Sequence, residues 1–70
     1  MKVNEFKAEV VRKGMTLEEF ADAANLTRTT LWRRLGNPKE FTLAEIKSAA
    51  SVLGLSGEKV IDIFFEDKVS

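Results

Sequence analysis

Four times in this 70-residue chain a threonine or serine stands ahead of an apolar run at helical spacing, and a helix-stopping residue follows the first three of those runs. Such punctuation favours short helices joined by tight turns. Val3, Phe6 and Val10 recur at helical spacing until Gly14, which predicts a first helix near residues 3–13. Thr16-Leu17-Glu18-Glu19 is a capping box: the threonine oxygen accepts the N3 amide and Glu19 reaches back to the cap. The helix it opens carries Phe20, Ala21 and Ala24 and ends at Asn25, a residue type that tolerates left-handed backbone angles. Thr27 caps a third helix through about Leu35, and Gly36-Asn37-Pro38 ends it, since the residue before a proline is pushed off helical angles. A second capping box, Thr42-Leu43-Ala44-Glu45, starts a fourth helix with Leu43, Ile46, Ala50 and Leu53 on one stripe, stopped by Gly54. Ser56 caps the last helix, where Val60, Ile61 and Phe64 face inward. No stretch alternates with period two. The expected fold is an all-α, compact five-helix bundle forming a single domain over residues 1–70.

Several kinds of chemistry are excluded at once. The chain has no cysteine and no histidine, so disulfides, zinc sites and thiol or imidazole catalysis do not arise. It has no glycine-rich phosphate loop and no nucleophile–base pair. Glu18 with Glu19, and Glu66 with Asp67, are sequence neighbours that point in different directions. No catalytic residue, metal ligand or cofactor is expected, and the chain is not expected to be an enzyme. No apolar run approaches about 18 residues and no N-terminal signal pattern is present, so a soluble, cytoplasmic protein without a membrane role is expected.

The formal net charge is zero, but the charges are unevenly placed. From Thr27 through Lys39 the chain carries Arg28, Arg33, Arg34 and Lys39 and no acid, a local charge of +4 against −4 for the remainder. The positive field is therefore concentrated on one segment. A solvated basic face is one explanation of it; a surface for an anionic partner is the other.

The same segment closes a short helix, tight turn and short helix over residues 16–35. Small Ala21 lets the two helices approach closely, Asn25 sits at the turn, and Leu26 and Leu31 fill the space between them. The stretch TLEEFADAANLTRTTL resembles the lambda-repressor-like (Cro-type) helix-turn-helix family, whose usual string is Thr-Gln-x-x-Leu-Ala-x-x-x-Gly-Val-Ser-x-x-Thr-Ile. That family also has one helix before the unit and two after it, so the resemblance covers nearly the whole chain. Leu17 replaces the family's glutamine, a usual phosphate contact, and Asn25 replaces its turn glycine. More narrowly, RTTLWRRLGNPKEFTLAEI followed by a terminal IFF looks like the small Cro-like regulators of temperate bacteriophages.

The resemblance implies that the third helix enters the major groove of an operator, its N-terminal residues meeting base edges. A step of about 100° per residue puts Leu31 and Leu35 on the core side and Arg33 opposite them. Arg28, Thr29, Trp32 and Arg33 are the candidate base-contacting residues. An arginine can bond guanine O6 and N7 through two parallel donors, worth about 1–3 kcal/mol of discrimination. Thr27, Arg34, Asn37 and Lys39 are the candidate phosphate contacts. Neutralising about five phosphates would make log affinity fall against log salt with a slope near −4 to −5.

Three residue readings stay open in the sequence. Arg34 lies between core and exposed face, so its alternative is to snorkel over the core edge. Trp32 lies about 80° from the core stripe; it either half-buries against the loop around Phe41, touches DNA, or anchors a protein partner. Ile63 and Phe65 exceed what one buried stripe requires, and form either extra core or a partner or dimer surface.

Two functions of different class follow. One is a sequence-specific transcriptional regulator of a phage or prophage switch, binding a double-stranded DNA operator as a homodimer, one formed either before or only on DNA. The other is a modulator or antirepressor that complexes a cognate phage repressor through the same fold. Zero net charge, Leu17, an outward Trp32 and the surplus Ile63 and Phe65 motivate the second.

Overall fold

In a computed structural model that describes residues 1–65, every capped run becomes a helix. The five are α1 (Val3–Arg12), α2 (Leu17–Ala23), α3 (Arg28–Gly36), α4 (Leu43–Leu53) and α5 (Gly57–Phe64), with a 3-10 turn at Pro38–Glu40. Among the described residues there is no strand. No helix among them is long and apolar enough to cross a membrane. The pair Glu66 and Asp67 lies outside the described residues.

The four side-chain caps form as the sequence requires. Thr16, Thr27, Thr42 and Ser56 each accept a hydrogen bond from the backbone amide three residues on. In both capping boxes the glutamate also returns a bond: Thr16 N donates to Glu19 Oε1 at 2.9 Å, and Thr42 N to Glu45 Oε1 at 3.0 Å. Each cap of this kind contributes about 1 kcal/mol. At the stops, Gly54 is left-handed with φ 65°, and Asn25 takes φ 60°, the one described non-glycine residue at positive φ. An asparagine there costs less than most side chains because its short polar group bonds locally.

Four phenylalanines pack in a row that links α2, α1, α5 and the end of the 3-10 turn. Phe6 of α1 meets Phe20 of α2 edge-on at 5.1 Å between ring centres and Phe64 of α5 at 6.1 Å. Phe41, at the end of the 3-10 turn, packs on the other side of Phe64 at 5.6 Å. Val10, Ala21, Ala24, Leu31, Ile46, Ala49, Leu53 and Ile63 complete the buried apolar set among the described residues. Leu17, Leu26 and Leu35 pack against it from its edge. The radius of gyration, 11.0 Å, equals the roughly 11 Å of a folded chain of this length.

Two expected stripes are rotated. On α5 the inward residues are Val60, Ile63 and Phe64; Ile63 is fully buried, and Ile61 is 54% exposed. Spacing alone allows either set, because 60, 61 and 64 span about as wide an arc as 60, 63 and 64. The aromatic contacts of Phe64 with Phe6 and Phe41 decide it. The Ile63 carbonyl also accepts the Lys2 amide at 2.8 Å, which turns that side of α5 toward the chain start. On α4 the inner side centres on Ile46, Ala49 and Leu53, leaving Leu43 about 80° off the stripe. Leu43 is 63% exposed.

Candidate nucleic-acid interface

Leu31, fully buried, and half-buried Leu35 fix which way α3 faces. The remaining positions follow from its pitch. Arg33, opposite the leucines, is exposed and makes no ion pair among the described residues. Thr29 is exposed as well. Arg28, in the first turn, has a side chain 68% exposed. Trp32 stands one turn further on, 45% exposed, and the Arg28 guanidinium carbon lies over its ring, 5.6 Å from the centroid. Four candidate base-contacting residues thus share an uncovered surface. Trp32 is open on this surface; among the described residues no ring contact ties it to Phe41, whose ring partner is Phe64.

Arg28 has a second neighbour that sequence reasoning missed. Its Nη2 lies 3.4 Å from Oε1 of Glu18 in the first turn of α2, an ion pair in which both side chains are more than 60% exposed. An acid near the start of α2 is favourable to that helix on its own account, through the dipole. Nothing in the spacing of 10 residues marks it as a partner for α3.

At the head of α3 the Thr27 hydroxyl has given its one proton within the chain. It accepts the Thr30 amide at 3.0 Å and donates to the Thr30 hydroxyl at 2.8 Å. The amides of Arg28 and Thr29, which no preceding helical turn can accept, remain at this end. At the other end, Asn37 and Lys39 are both exposed, at the C-cap of α3 and in the 3-10 turn. Nine helical residues separate the two ends by about 13 Å along the axis.

Arg34 does not belong with them. Its Nε donates to Glu45 Oε1 at 2.9 Å and its Nη2 to Glu45 Oε2 at 3.2 Å, a bidentate pair across to α4. Nη1 reaches Glu40 in the 3-10 turn at 3.5 Å. The side chains of Arg34 and Glu45 are 18% and 16% exposed. The expected phosphate contact is therefore corrected: the guanidinium is spent on two carboxylates inside its own chain, and a planar fork prefers such a pair to water. The Arg34 hydrogen bond holds the Glu45 carboxyl below its ordinary value, against the partial burial that pushes it up, and the Thr42 amide adds to the lowering. The same Glu45 hydrogen bond raises the Arg34 guanidinium further.

The expected partner surface at Ile63 and Phe65 is corrected in part. Ile63 is core, because the turn of α5 set by Phe64 drives it inward. Phe65 is half-buried at the C-cap of α5, on the rim of a groove shared with Phe41, Ile46 and Lys39.

The charge of the basic segment is thus partly neutralised where it stands. Arg34 is cancelled, Arg28 is loosely countered, and Arg33 and Lys39 make no ion pair among the described residues. No protein-family model, curated protein or solved structure matches this chain.

Proposed function

We propose that this chain is a sequence-specific DNA-binding transcriptional regulator of the Cro-like type, acting in the cytoplasm at a phage or prophage operator. The observation that carries the reading is the joint exposure of Arg28, Thr29, Trp32 and Arg33 on α3, with Thr29 and Arg33 opposite Leu31 and Trp32 on the flank. In the major groove, Arg33 addresses a guanine edge through its two parallel donors, and Thr29 meets a base edge or a thymine methyl. Arg28 and Trp32 address the neighbouring step as a stacked pair. The amides of Arg28 and Thr29 at the Thr27 cap, and Asn37 and Lys39 at the far end, hold the two phosphate strands that border the groove. Two copies related by a two-fold axis read the two half-sites, and promoter access is blocked by occupancy.

With Arg34 withdrawn, about three cations per chain remain for the DNA. The salt dependence of log affinity then has a slope of about −3 for one chain and about −5 for two. Selection of duplexes from a random pool, followed by anisotropy titration at several salt concentrations, tests the proposal. A preferred sequence with a slope in that range supports it; no preferred sequence and no salt dependence defeats it. Arg33→Ala should reduce discrimination at one base position about ten- to a hundredfold. Lys39→Ala should weaken all duplexes alike.

One observation favours a second reading. An exposed tryptophan beside an arginine is the composition of a protein-binding hot spot. In that case the chain complexes a cognate repressor, and Trp32 fluorescence responds to that protein and not to DNA. The burial of Ile63 takes away one of the features that had motivated this alternative.

A further inference from the structure

Resting on the reading of α3 as a DNA-facing helix, we propose that Glu18 is a specificity-determining residue that suppresses binding to the wrong sequences. It does so by competing for Arg28. Three observations place it there. The Glu18 carboxylate comes from α2, yet its Oε1 lies 3.4 Å from Arg28 Nη2. Arg28 is also in contact with Trp32, its guanidinium carbon 5.6 Å from the ring centroid. Both members of the pair stand in solvent, 68% and 62% exposed, so nothing but water screens or replaces them.

An exposed pair of this kind is weak, and a better acceptor displaces it. Guanine is such an acceptor. Its O6 and N7 take two parallel donors from one guanidinium, so the exchange is repaid in hydrogen bonds. A lone phosphate oxygen repays less, while the Glu18 carboxylate, left beside the DNA backbone, repels it. The cost of breaking the Glu18–Arg28 pair therefore falls on every sequence, and only a sequence presenting the guanine edge recovers it. Glu19, its neighbour, is bound to the Thr16 amide in the capping box and does not share this role.

The test compares the full chain with its Glu18→Gln variant, using the duplex enriched by the unaltered chain from a random pool and a scrambled duplex of equal length. Removing the carboxylate should tighten binding to the scrambled duplex about three- to tenfold and steepen its salt slope. Affinity for the enriched duplex should change less, so discrimination falls. A gain in affinity cannot arise from a damaged fold, which separates this outcome from misfolding. If the unaltered chain enriches a duplex and the variant binds the scrambled one no tighter, the role of Glu18 is overturned and the DNA-facing role of α3 stands. If the unaltered chain enriches nothing, both fall together.

Discussion

Two arginines of one short helix are each tied to an acid in the first turn of another helix, and the two ties are opposite in character. Arg34 meets Glu45 of α4 through two hydrogen bonds, at 2.9 and 3.2 Å, with both side chains largely shielded. Arg28 meets Glu18 of α2 through one ion pair at 3.4 Å, with both side chains in water. Shielding lowers the local dielectric and removes the competition of water, so the first tie holds two helices together. The second holds little and exchanges easily. Like chemistry thus serves as a clamp at one end of α3 and as a replaceable contact at the other.

The comparison can be broken most directly at the clamp. Arg34→Ala leaves Glu45 partly buried without its cation, and thermal unfolding should shift down by roughly 5–10 °C. A shift of a degree or less would mean that the pair is no more than another surface contact. Acid offers a second test, with a smaller effect. The folded Glu45 carboxyl is held below its ordinary value of 4.5, so its contribution to stability is complete above that value and is lost as pH falls through the depressed one. Stability measured by denaturant from pH 6 downward should fall over that range, and more shallowly in Arg34→Ala. Equal slopes in the two proteins would assign the acid sensitivity to other carboxylates.

The loose tie should yield less. Arg28→Ala is expected to move the unfolding temperature by no more than about 3 °C, since the residue contributes an exposed pair and a solvent-facing ring contact. Glu18→Gln should do about as little, the small loss coming from the dipole of α2 as much as from the pair. If either variant unfolded as early as Arg34→Ala, the distinction between the two ends of α3 would be lost.

Much of the architecture was legible because it is written in local chemistry. Caps and stops act over three or four residues, and the four side-chain caps and the turn at Asn25 appear where Thr16, Thr27, Thr42, Ser56 and Asn25 stand. The outward face of α3 was legible for the same reason, through the pitch that sets Arg33 against Leu31. What escaped was decided at long range. Choosing Ile63 over Ile61 depended on where Phe6 and Phe41 lie around Phe64. The partner of Arg34 is 11 residues away on another helix. Glu45 was legible as the reciprocal member of a capping box, but no local rule says which donor takes up the remaining capacity of its carboxylate.

That shared carboxylate has a consequence for how motion passes through the molecule. Glu45 Oε1 accepts from both the Thr42 amide and Arg34 Nε, so one oxygen terminates α4 and restrains α3. Any tilt of α3 that draws Arg34 away changes the bond to Thr42 in the same movement. The amide proton of Thr42 is therefore a remote gauge of α3. Its hydrogen-exchange rate should slow when a ligand stiffens that helix, although Thr42 itself touches nothing but its own chain.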